Sequence, residues 1–320
     1  MALDEATAAL LGQLAESGIK PLHEMTPEEA RGLGGILRDL TGPGPDVARV
    51  HDDTVPAPDG GSFGVRVLVP HGTPRAVLVY YHGGGWVIGA LDEFDTLGRG
   101  LAERTGAVVV LVDYRLAPEH RYPTAARDAW TALRWAAERV TDLAGAPVPL
   151  IVAGDSAGGN LAAVVSQRAQ AEGGPRIALQ VLVYPVTDAD TGNATYVDPA
   201  NQLMLTREAM IWFWDHYAPE HADRASPDAS PLHAAELAGQ PPAAVLTAEH
   251  DVLRQEGEAY AERLRAAGVP VEHRRFPGQM HGFFTMVNVL PGAAAGMDFV
   301  AERVDAALAG QPAPDTAQAR

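Results

Sequence analysis

An α/β fold, with a mostly parallel central sheet and helices on both faces, is predicted by three observations. From about residue 63, short β-branched runs alternate with stretches of 3.6-residue apolar periodicity. Several of those runs are apolar throughout, as strands buried on both faces must be. Hydrophobic residues make up 47% of the 320, enough for a large core.

The expected strands are Phe63 to Val69, Ala76 to Tyr81, Ala107 to Val112, Leu150 to Ala153, Leu179 to Val183, Ala243 to Thr247 and Val269 to Phe276. Between them, Ala126, Trp130, Leu133 and Ala137 share one helical stripe after Pro123, a residue suited to a first turn. Tyr260, Leu264 and Ala267 mark a second stripe before Gly268. Two segments break the alternation. Residues 1–45 begin with an amphipathic helix carrying Leu3, Ala6, Leu10, Leu11 and Leu14, and residues 187–242 hold a polar Asp, Asn and Pro stretch followed by the aromatic run IWFWDHY. Both are read as one cap above the functional edge of a core formed by 46–186 and 243–310, because loops on a rigid scaffold carry sites. Trp212, Phe213 and Trp214 serve equally well as cap core. Residues 311–320 read as a disordered tail.

Composition excludes several kinds of function. Lys and Arg number 24 against 41 Asp and Glu, a net charge of −17, and Lys20 is the single lysine, so a nucleic-acid binder is not expected. The absence of cysteine removes disulfides, thiolate catalysis and iron–sulfur clusters. Acidic residues in place of a basic leader, and apolar runs far short of the ~20 residues that cross a bilayer, predict a cytoplasmic protein without a membrane span.

The strongest chemical signal is Gly154-Asp155-Ser156-Ala157-Gly158, which follows the apolar strand LIVA and precedes the helical stretch NLAAVVSQRAQ. A sharp strand-to-helix turn crowds the positions two before and two after the serine, tolerates only small residues there, and exposes the Ser156 hydroxyl. Asp155 is read as a brace for that turn. Some seventy residues earlier, His82-Gly83-Gly84-Gly85-Trp86 follows the strand AVLVYY. Three glycines in a row suit a loop whose N–H groups converge on an anion, with Gly83, Gly84 and Ala157 as donors to a developing oxyanion.

A serine nucleophile needs a base and a carboxylate to orient it. His281 follows a strand and comes after every candidate acid, while Asp251 lies just past the strand AAVLTAE. Glu249 is the rival acid and His250 and His273 are the rival bases. Asp113, Tyr114 and Arg115 are read as a structural network. His216, His221 and His233 match no metal-ligand spacing, and the sequence shows no phosphate loop or well-placed dinucleotide fingerprint, so neither a metal nor a cofactor is expected.

HGGGW, VDYRLAPEHRYP, GDSAGGN, AEHDVLRQEGEAY and MHGF together resemble the hormone-sensitive-lipase-like family of bacterial esterases over nearly the whole chain. The resemblance implies an α/β-hydrolase fold of about eight strands with a helical cap. It further implies Ser156 as nucleophile, His281 as general base and then acid, Asp251 as its orienter, and hydrolysis of short-to-medium acyl esters without a cofactor. Val252 follows Asp251 where many relatives have proline, which leaves that loop less constrained. Trp86, Tyr184 and Phe213 are expected to contact a small apolar ester, and a homodimer is an expectation of the same kind. Two alternatives share the scaffold: an amide or N-acetyl hydrolase with the same triad, and a non-catalytic small-ligand receptor.

Overall fold

The structure, a computed structural model, describes residues 2–310, and the expected tail at 311–320 lies outside them. Eight strands form one sheet: β1 Arg49–Pro56, β2 Ser62–Val69, β3 Val77–Tyr81, β4 Val108–Asp113, β5 Leu150–Asp155, β6 Ile177–Val183, β7 Ala243–His250 and β8 Val271–Met280. Their spatial order is β1-β2-β4-β3-β5-β6-β7-β8. β2 runs antiparallel to both β1 and β4, and all other pairs are parallel.

The helices are α1 Glu5–Glu16, α2 Pro27–Arg31, α3 Gly34–Thr41, α4 Leu91–Thr105, α5 Thr124–Glu138, α6 Val140–Ala144, α7 Ala157–Glu172, α8 Ala194–Val197, α9 Arg207–Tyr217, α10 His221–Arg224, α11 Arg254–Ala266 and α12 Pro291–Ala309. Period-two alternation divides the core between the two sheet faces. Val77, Val79 and Tyr81 of β3 join the cluster containing α5, α7 and α11. Leu78 and Tyr80 join the one containing α4 and α12. The central strands are therefore apolar on both faces, with every side chain of β3, β5 and β6 buried.

Sequence patterning missed β1, whose residues are all exposed except Val55. It is an edge strand defined by its pairing with β2 rather than by burial, so it carries no apolar signature. β8 begins two residues later than expected. The Val269 amide still donates to Leu264 O, and Gly268 at φ +80° completes the end of α11. β8 then continues through Pro277 to Met280, with a register shift against β7 between Ala248 and His250. Such an irregularity re-aims the residues that follow, and His281 is the next in line.

The N-terminal residues divide their contacts. Leu10 of α1 packs in the α4–α12 cluster, and Asp4 N–H donates to Gly278 O of β8. Leu22, in the 3-10 turn Leu22–Glu24, instead packs against the opposite cluster, the one holding α9 residues Phe213 and Trp214. Among the described residues, no helix is long and apolar enough to cross a membrane.

Candidate active site

Ser156 stands between the end of β5 and the first turn of α7, with φ +54°. This left-handed conformation is costly for a residue with a Cβ, and such strain persists only where the surroundings enforce it. They do. The Ser156 amide donates to Val183 O at 2.9 Å, and its carbonyl accepts from Asn160 N and Val186 N. A Cβ on Gly158 would lie 1.9 Å from Tyr81 O, and one on Gly154 would lie 2.3 Å from Gly158 O. The glycines flanking the serine are thus required by close backbone approach.

The two loops after β7 and β8 meet at this turn. His281 Nε2 lies 3.1 Å from Ser156 Oγ, and His281 Nδ1 lies 2.8 Å from Asp251 Oδ2. Because a carboxylate only accepts, Nδ1 carries the imidazole proton and Nε2 faces the hydroxyl as an acceptor. Asp251 is completely buried, and its other oxygen accepts from Leu253 N–H at 2.9 Å. Val252, in place of proline, does not leave the turn loose, since Thr195 Oγ1 donates to its carbonyl at 2.6 Å. Tyr184 (φ +32°) packs its ring 4.5 Å from the imidazole.

The HGGG loop differs from expectation in one respect. The Gly83 N–H donates to Asp155 Oδ1 at 2.9 Å, so it is already spent. Among the described residues, the amides of Gly84 and Gly85, and that of Ala157 at the start of α7, donate to no acceptor of the kind that holds Gly83. Gly83 was expected as an oxyanion donor, but its amide is held by Asp155, which leaves Gly84 and Ala157 of the expected three available, together with the neighbouring Gly85. The sequence shows three adjacent glycines but not which amide a buried carboxylate will claim. A Cβ on Gly85 would stand 2.1 Å from the Phe213 ring, so α9 seats directly on this loop.

Asp155 also accepts from Tyr80 OH at 2.8 Å, and it joins the serine turn to the HGGG loop. Burial outweighs these bonds and pushes its carboxyl up to about 6 from 3.8. The folded protein thus holds this proton more tightly than the unfolded chain. The resulting stabilisation is complete below pH 4 and declines as pH rises through 6, by about 3 kcal/mol. Asp155→Asn keeps an acceptor and has no proton to lose. Urea unfolding between pH 4 and 7 is expected to show wild-type stability falling relative to the variant, whereas parallel curves would show that the carboxyl does not hold that proton.

Of the residues expected to contact substrate, Trp86 is wholly enclosed. Its ring stacks on Tyr217 at 4.2 Å and meets Trp214 at 4.8 Å, which leaves it no surface for a ligand. Tyr184 is likewise buried and serves as packing under His281. Phe213 is 4% exposed beside the oxyanion loop. Trp214 is core, while Trp212 is only partly buried. The rivals lie elsewhere: His273 bonds Thr247, and Glu249 accepts from Gly278 N–H. Arg115 grips Asp128 and Asp59, and Tyr114 OH donates to His82 O, structural roles as expected, whereas the Asp113 side chain, expected in the same network, makes no hydrogen bond or ion pair with either. Asn160, which the sequence reading did not single out, donates to Val186 O and Ala229 O and fixes the chain leaving β6.

A family model for the alpha/beta hydrolase fold matches residues 78–285, which contain Ser156, Asp251, His281 and the HGGG loop. The chain belongs to that family. It is 46% identical over 221 residues to the carboxylesterase NlhH of Mycobacterium tuberculosis, covering 68% of this chain and 69% of that protein. It is 37% identical over 315 residues to an ethyl acetate hydrolase of Pseudomonas putida, covering 94% and 98%. Among solved structures, a hyperthermophilic esterase of the archaeon Pyrobaculum calidifontis superposes with a TM-score of 0.88 at 36% identity, over 96% of this chain and 99% of that one. Within the α/β-hydrolase family, the chain is of the hormone-sensitive-lipase-like kind that its motifs resemble.

Proposed function

We propose that this carboxylic ester hydrolase acts through an acyl-enzyme on Ser156. The observation that carries the reading is the two-link chain from Asp251 through His281 to Ser156, assembled from three turns that are far apart in sequence. Ser156 Oγ attacks the ester carbonyl while its proton passes to His281 Nε2, and Asp251 stabilises the imidazolium. The carbonyl oxygen becomes an oxyanion facing the free amides of Gly84, Gly85 and Ala157, each such donor being worth about 10² to 10³ in rate. The dipole of α7, whose first residue is Ala157, adds positive potential there. The intermediate collapses, His281 returns the proton to the departing alkoxide, and water repeats the sequence to release the acid.

Short-to-medium, uncharged acyl esters are the proposed substrates. A net charge of −17 disfavours anionic ones over long range. The insertion brings Met204 against the residue after His281, its sulfur 3.3 Å from where a Cβ on Gly282 would stand. The P. putida relative, an ethyl acetate hydrolase over almost the whole length, supports small acyl groups. The test is a p-nitrophenyl ester series from two to sixteen carbons, assayed beside a matched anilide. kcat/KM is expected to peak at or below eight carbons, with the ester far faster than the anilide. A maximum at the longest chain, or a faster anilide, would overturn the substrate assignment.

A further inference from the structure

Arg31, the last residue of α2, sends its guanidinium into the base of the HGGG loop. Nε donates to Val87 O at 2.9 Å and Nη2 to Ala117 O at 2.8 Å. The outer edge of the same fork holds Glu119, with Nη1 and Nη2 at 2.9 and 2.7 Å from its two oxygens. The two backbone carbonyls matter because each belongs to a residue whose N–H grips the loop. Val87 N–H donates to Gly84 O at 3.1 Å, joined by Ile88 N–H at 2.9 Å, and Ala117 N–H donates to Trp86 O at 2.9 Å.

Gly84 O and Gly85 N–H belong to one planar peptide and point in opposite directions. Fixing the carbonyl therefore fixes where the amide aims. Gly84, Gly85 and Trp86 lie at φ +109°, +58° and +60°, a run of left-handed residues that includes a tryptophan and needs outside support to persist. From 56 residues upstream of Val87, Arg31 supplies that support with the planar fork that a lysine lacks.

We propose that Arg31 is a positioning residue for the oxyanion donors: by gripping Val87 O and Ala117 O, it holds the Gly84–Gly85 peptide in its productive orientation and makes the N-terminal segment part of the transition-state machinery. This inference rests on the acyl-enzyme reading above.

The experiment compares Arg31→Met, Arg31→Lys and Glu119→Gln, measuring kcat and KM for p-nitrophenyl butyrate, affinity for a trifluoromethyl ketone that forms a tetrahedral adduct, and melting temperature. A displaced donor costs less than a deleted one, which is worth about 10² to 10³. Arg31→Met is accordingly expected to lower kcat about tenfold, weaken the ketone by a similar factor and leave KM within about twofold. Arg31→Lys should fall between it and wild type. Glu119→Gln should stay within about twofold throughout, because it loosens the outer ion pair and spares both carbonyl bonds. Should Arg31→Met fail to fold, Arg31→Lys against Glu119→Gln carries the comparison.

Wild-type kcat and ketone affinity in the Arg31 variants would overturn the inference, as would a loss in Glu119→Gln equal to theirs. A wild-type enzyme that neither cleaves esters nor reacts at Ser156 would instead sink the acyl-enzyme reading. An active, Ser156-labelled enzyme indifferent to Arg31 sinks this inference alone.

Discussion

Ser156→Ala is expected to lower kcat for p-nitrophenyl butyrate by about 10⁶-fold, the scale seen when a serine hydrolase loses its nucleophile, with no change in melting temperature beyond a few degrees. The hydroxyl is the only nucleophile that the protein contributes to the proposed mechanism, and His281 without it has no proton to take, so the acyl-enzyme cannot form. Folding should survive because the strained φ of +54° is enforced by backbone contacts that alanine retains, namely the amide bond to Val183 O and the bonds that its own carbonyl accepts. A variant with a tenth of wild-type kcat would place the nucleophile elsewhere. Binding of a non-hydrolysable ester analogue should be preserved, which separates lost chemistry from a lost site.

Asp251→Asn is expected to cost about 10⁴ in kcat, and the geometry says why. One carboxylate oxygen accepts from Leu253 N–H and the other faces His281 Nδ1. Asparagine must keep its oxygen on the Leu253 amide, which turns its NH₂ toward the imidazole. Nδ1 must then accept, so the ring proton moves to Nε2 and points at Ser156 Oγ, where a proton acceptor is needed. The substitution is nearly isosteric in a fully buried position, so the loss should appear in kcat with little effect on KM. Activity within tenfold of wild type would show that Asp251 does not govern the imidazole tautomer.

The legible parts of the fold were those whose physics is local. Strands β3 to β6 lie inside the sheet and are buried on both faces, so burial itself wrote them as apolar runs. β1 has one neighbour and one buried residue, Val55, and its identity as a strand exists only in its pairing with β2. The serine turn was visible because close packing against Tyr81 O demands glycine at fixed offsets, and the demand is recorded in the residues themselves. Donor assignment in the HGGG loop was not visible, since Gly83, Gly84 and Gly85 look alike until Asp155 claims one amide. Trp86 read as a ligand contact because an aromatic beside a glycine loop suits either role, and only its stacking on Tyr217 decides. Arg31 reached the loop across a separation of 56 residues, a contact that no local pattern announces.

The proposed chemistry is tested most directly by brief exposure of the wild-type protein to a fluorophosphonate, followed by peptide mapping. Stoichiometric phosphonylation on Ser156 alone, suppressed in the Asp251→Asn variant, is the expected result. An unmodified Ser156, or an adduct on another residue, would contradict the account.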